Sequence, residues 1–319
     1  MITDPRFIAL NREAELAKRV TCSGVSALRK ASPARPGVYY DGFFGISIGI
    51  ERLAKLVWLV DECIARGGSF PSDSDLRVLG HNILALLGKA SAIRSNRPGS
   101  QSSISKNSHS TLASDNITSL IMEFLSEFAQ ATRYFNVDFM VGGRSVQIGD
   151  PIKIWHRKVG TAILASPQIS AKRQRWFEQA TSGASALSPA IVIATASDGT
   201  PLNDVAALLL GEYEASEINK QAQWKVLGIV RFLSLLLIDV GGAAHAGGYA
   251  FVPDFREHFG FFCGDDAIIR RYRFGRHGVS HRARTSSDND VQGTSALGQK
   301  AKYSLRADVF RFTPESGLN

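Results

Sequence analysis

Residues 38–66 read VYYDGFFGISIGIERLAKLVWLVDECIAR, and this stretch decides the fold. Phe43, Phe44, Ile46, Ile50, Leu53, Val57, Val60 and Ile64 recur at the spacing of one helical face, and Ile48, Leu56 and Leu59 widen it. A helix apolar over so broad an arc must be central and mostly buried. Glu51 and Lys55 stand four apart in the favoured order, which supports a helix locally. Gly67 and Gly68 end it.

Working outward, residues 8–30 place Ile8, Leu10, Ala14, Leu16, Ala17 and Val20 at loose helical spacing, and the Pro-containing segment 32–37 breaks that helix. After Pro71-Ser72-Asp73, residues 75–93 carry Leu76, Leu79, Ile83, Leu84, Leu86 and Leu87 and predict a third helix. Eight of the 22 residues in 94–115 are serine, a composition expected of a mobile surface loop. Asp115 or Asn116 can cap a fourth helix over 117–136. Beyond Gly142 and Gly143 the pattern predicts helices over 151–165, 203–216 and 219–240, stopped by Gly241, Gly242, Gly247 and Gly248. Residues 190–195 fit a short strand or buried helix, and 303–309 alternate like one edge strand. The expected class is mainly α with at most minor β. Three regions are expected: a helical bundle over 1–140, a helical extension over 141–275 and a basic, partly flexible tail over 276–319.

Composition narrows the function classes. The 37 Lys and Arg against 29 Asp and Glu give a net charge of +8, a weak pull toward polyanions. Three cysteines without a CxxC pair argue against a disulfide framework or a cysteine zinc site. The N-terminus lacks the apolar core of a secretory signal. The most apolar runs, 42–50 and 232–240, fall short of the roughly 20 residues that cross a bilayer. A cytoplasmic protein without membrane association is expected.

Gly45-Ile46-Ser47-Ile48-Gly49 spells the GxSxG of a hydrolase elbow, but that serine must sit on a sharp strand-to-helix turn, and here it lies inside a helical pattern. Close helix packing is the expected role. No phosphate loop, no HExxH and no dinucleotide fingerprint occurs, so neither a cofactor nor a metal is expected. Basic clusters are the firmest chemical signal. Lys153, Arg157, Lys158, Lys172, Arg173 and Arg175 lie in 151–177 without an acid, with Trp155 and Trp176 among them. Arg270, Arg271, Arg273, Arg276, Arg282 and Arg284 lie in 270–284, again without an acid, beside Tyr272, Phe274 and His281. Arginine forks match phosphates and aromatic rings stack on bases, which makes Lys153, Arg157, Lys158, Arg270, Arg271, Arg273, Arg276 and His281 candidates for nucleic-acid contact. An Arg–His pair can cleave RNA without metal, because histidine moves a proton near neutrality and arginine stabilises charge on phosphate. Arg77 with His81, and Arg276 with His281, offer such pairs, while Arg133 is followed at that distance by Asp138.

The segment YYDGFFGISIGIERLAKLVWL at 39–59, followed by LRVLGHNILALL at 76–87, resembles the HEPN superfamily of small helical bundles. The likeness covers roughly 8–140. FLSEFAQATRYFNVD at 124–138 and Asp150-Pro151 also look like parts of large bacterial HEPN-like proteins. It implies a bundle that often dimerises and, in many members, a metal-independent ribonuclease of a toxin or anti-phage system with an antitoxin-like partner. The family's R-x(4–6)-H motif is absent from its usual place, since Asp138 stands where the histidine belongs. The expected function is an RNA-directed protein of a bacterial defence or stress-response system. His81 is its candidate proton-transfer residue, and Arg77 and Arg133 its phosphate stabilisers. The alternative is a non-catalytic helical scaffold that binds nucleic acid or a partner protein.

Overall fold

The computed structural model describes residues 4–97, 115–185 and 194–264. Its first two helices, α1 (Pro5–Lys30) and α2 (Pro36–Ala65), form an antiparallel pair. α1 starts on Asp4, whose carboxylate accepts from the Arg6 N–H at 2.8 Å, and ends on Arg29 and Lys30, cations suited to a helix C-terminus. α2 presents Gly42, Gly45 and Gly49 to α1 at the point where Gly24 crosses. A Cβ on Gly45 would lie 2.6 Å from the Gly24 Cα, and one on Gly49 would lie 2.0 Å from the Thr21 Oγ1. The two backbones therefore touch. Ser47 is buried in the same helix and donates to the Phe44 carbonyl at 3.2 Å, so the GxSxG string is a packing seam.

The expected helix over 75–93 is divided. α3 (Asp73–Val78) opens on a Ser72–Asp75 capping box, Gly80 turns the chain at φ 59°, and Asn82 caps α4 (Ile83–Asn96). α4 takes Arg94, Ser95 and Asn96 out of the expected loop, and Arg94 is buried at its end. α5 (Asn116–Glu127) starts on Asp115 and runs into a π-helical turn, Phe128–Thr132. The short helices α6 (Phe135–Val141), α7 (Ser145–Ile148) and α8 (Pro151–Trp155) follow. A second π turn, His156–Gly160, leads to α9 (Thr161–Leu164) and α10 (Pro167–Ser185). Among the described residues the β structure is a two-stranded antiparallel pair, β1 (Ala194–Thr195) and β2 (Pro201–Leu202).

α11 (Val205–Ala246) is one uninterrupted helix where two were expected, over 203–216 and 219–240, and it passes through Gly241 and Gly242 to end at Gly247. It is long and apolar enough to cross a membrane, yet 67% of its most apolar window is buried inside the protein. Ile218, Ala222, Val226, Ile229, Val230, Leu233, Leu236 and Leu237 join the same core as the inner faces of α1, α2, α4 and α5. Gly241 admits the Phe255 ring, which would stand 2.8 Å from a Cβ there. α12 (Arg256–Phe259) and a 3₁₀ turn, Gly260–Cys263, close the described chain. At the centre Phe43 meets Phe124, Phe128 and Trp155, with ring centroids 4.7, 5.4 and 5.3 Å away. Trp155 thus belongs to the core rather than to a nucleic-acid surface. The fold is mainly α.

Candidate functional site

Gly80 and Asn82 set the site. The left-handed turn at Gly80 lifts His81 off α3 and lays it against α2. There its Nδ1 lies 3.0 and 3.1 Å from the two carboxylate oxygens of Glu51. A carboxylate only accepts, so Nδ1 carries the proton and Nε2 is left for other work. The His81 side chain is 62% exposed, whereas Glu51 is 16% exposed, so a half-buried anion orients an accessible imidazole. Lys55, one turn along α2, donates to the same Glu51 oxygen at 2.8 Å. Asn82 accepts from the Ala85 N–H and from the Ser126 hydroxyl, both at 3.0 Å, and Gln130 of the π turn donates to Ser126. Asn82 thus ties the turn to α4 and α5, while the His81 ring ties it to α2.

Arg77 and Arg133 are not brought to this imidazole by any bond among the described residues. Arg77 pairs with Asp73 at 2.7 Å on the exposed side of α3. Arg133 lies over the ring of Tyr134, 5.0 Å from its centroid. The helix break at Gly80 is the reason Arg77 and His81 do not share a face. Glu51 and Lys55 are the neighbours of His81 that sequence reasoning missed. The signal was the Glu51–Lys55 spacing, read as an intrahelical pair and as part of the family likeness, with no link to His81.

The first basic stretch is less free than its sequence implies. Lys158 pairs with Glu127 at 3.0 Å, Lys172 with Glu217 at 3.9 Å and Arg173 with Glu214. Lys153 runs its stem along Gly199. Lys153, Arg157 and Arg175 are exposed without a carboxylate partner among the described residues. Trp176 stacks on Tyr213 at 4.7 Å. Arg270, Arg271, Arg273, Arg276 and His281 lie outside the described residues, as do the expected tail and the strand over 303–309.

A second polar group is internal. Asn219 of α11 donates from Nδ2 to the Ala31 carbonyl at 3.0 Å and to the Tyr39 oxygen at 3.3 Å, and accepts from the Trp155 indole at 3.2 Å. The Tyr39 hydroxyl also shares a hydrogen bond with His156 Nε2, 2.9 Å away. Burial lowers the His156 pKa to about 4, against the pull of Asp198, and raises that of Tyr39. Among the described residues no three His, Cys, Asp or Glu side chains gather as a metal site would require. No family model matches the chain, and neither a curated protein nor a solved structure matches it.

Proposed function

We propose that the chain is an RNA-directed, HEPN-like protein of a bacterial defence or stress-response system that cleaves phosphodiester bonds at His81. The observation that supports this is the Glu51–His81 bond, which fixes one tautomer on an accessible imidazole. In this reading His81 Nε2 takes the proton of a ribose 2′-hydroxyl. The oxygen attacks the adjacent phosphorus, the 5′-oxygen bond breaks, and the proton returns to the leaving oxygen. Glu51 stabilises the imidazolium formed in between, and the Lys55 ammonium offsets negative charge on the phosphate. Arg77 and Arg133 stay outside this unit.

Inducible expression followed by total-RNA electrophoresis tests the reading. Wild type degrades RNA, His81→Ala does not, and Glu51→Gln slows degradation about tenfold or more. An Arg276→Ala/His281→Ala control retains activity. Intact RNA with the wild type, or cleavage unchanged by His81→Ala, overturns it. The second reading, a non-catalytic nucleic-acid-binding or protein-interaction scaffold, is supported by Lys153, Arg157 and Arg175, which are exposed and have no carboxylate partner among the described residues. It expects RNA binding that weakens steeply with salt and no cleavage.

A further inference from the structure

α6 and its flanks expose an apolar surface that the core does not use. Tyr134 is 57% exposed, Val137 63%, Phe139 64%, Met140 81% and Val141 74%, with Ile148 of α7 at 38%. No residue of α6 is buried. These side chains lie within 15 consecutive residues, a local concentration of exposed apolar groups, here called the tip, of the kind that marks an interaction site. The acids nearby are turned inward. Asp138 accepts from the Ser145 N–H at 3.2 Å and packs against Gly143, and Asp150 accepts from the Ile152 N–H at 2.8 Å as the cap of α8. Within residues 133–150 the exposed charged residues are Arg133 and Arg144.

We propose that this tip docks on an anionic lipid surface. The apolar side chains enter the region between headgroups and acyl chains, and Arg133 and Arg144 reach lipid phosphates from the rim. Arg133 over Tyr134 is already the paired arrangement of cation and amphipathic ring that suits an interface. RNA explains less of this surface, because Val137, Met140, Val141 and Ile148 offer bases neither a stacking face nor a hydrogen bond. A second copy is the competing occupant, since a two-fold contact would cover the apolar tip with itself, and the vesicle experiment separates the two. The proposal concerns a surface attachment and is independent of the chemistry at His81.

Co-sedimentation of the full chain with vesicles tests it, using phosphatidylcholine alone and phosphatidylcholine mixed with phosphatidylglycerol. Wild type pellets with the mixed vesicles and releases as salt rises. The Val137→Ser/Met140→Ser/Val141→Ser variant, altered only at exposed positions, loses about tenfold or more of that binding. Arg133→Gln/Arg144→Gln loses the preference for phosphatidylglycerol. In a separate Phe139→Trp variant, vesicles shift the added fluorescence to the blue, and bilayer-embedded quenchers reduce it. Wild type remaining in the supernatant overturns the proposal. So does binding unchanged by the triple serine variant, which would assign it to basic residues elsewhere. A concentration-dependent dimer abolished by that variant, without vesicle binding, also overturns it and makes the tip a self-interface.

Discussion

His156 is held neutral by burial, and its proton balance reaches the stability of the whole chain. The unfolded chain binds a proton at an ordinary histidine near pH 6.5, while the folded chain declines it until about pH 4. Between those values the unfolded state carries more protons, so stability rises with pH. The contribution is fully present above pH 6.5 and is lost as pH falls toward 4, by about 3 kcal/mol at most. Urea midpoints at pH 7 and pH 5 check this. His156→Gln, which cannot titrate, flattens the difference, and an unchanged slope would remove His156 as its source. This network was not legible in the sequence. Tyr39, His156 and Asn219 are 117 and 180 residues apart, and nothing in a local window links them. The His81–Glu51 pair, 30 residues apart, was hidden for the same reason.

At the scale of elements, the α1–α2 seam is the most constrained feature. Valine in place of Gly45 would drive side-chain atoms into the Gly24 backbone, where even a Cβ lies too close. Neither backbone can yield without separating the helices, so Gly45→Val costs about 3 kcal/mol or more, readable as a lowered thermal midpoint. Gly37→Ala, at an open helical position, leaves that midpoint nearly unchanged or raises it. The helix over 38–66 was legible because its apolar arc is long and uninterrupted. The seam was legible in outline, since small residues inside a buried helix imply close approach. The break after Val78 was spelled by Gly80 and Asn82, a helix stop followed by a helix cap, but the leucine periodicity on either side masked it. The helices expected over 203–216 and 219–240 are the single α11, and the acids at their junction are not a solvent-exposed break. Instead, Glu214 and Glu217 pair with cations of α10.

Across the molecule, charge and core follow different boundaries from those the sequence suggests. The acid-free stretch 151–177 receives its acids from α5 and α11, so local charge counts overstate its positive surface. The core likewise ignores a boundary near 140, because α11 forms one wall of the space between α2 and α5. A fragment ending at residue 204 lacks that wall and should be recovered insoluble or with little cooperative melting, whereas the full chain melts cooperatively. A soluble fragment with a sharp transition would show that the first helices are self-sufficient. The order of synthesis gives this arrangement a cost in time. α1 and α2 can pair as soon as both have emerged, for their contacts are local. The Tyr39 hydroxyl, however, waits for a partner 180 residues later. At ~5–20 residues per second the part of α2 that α11 covers waits roughly ten to forty seconds for it. Slowed translation is therefore expected to raise the fraction of chain recovered insoluble, which fractionation of the expressed protein reads.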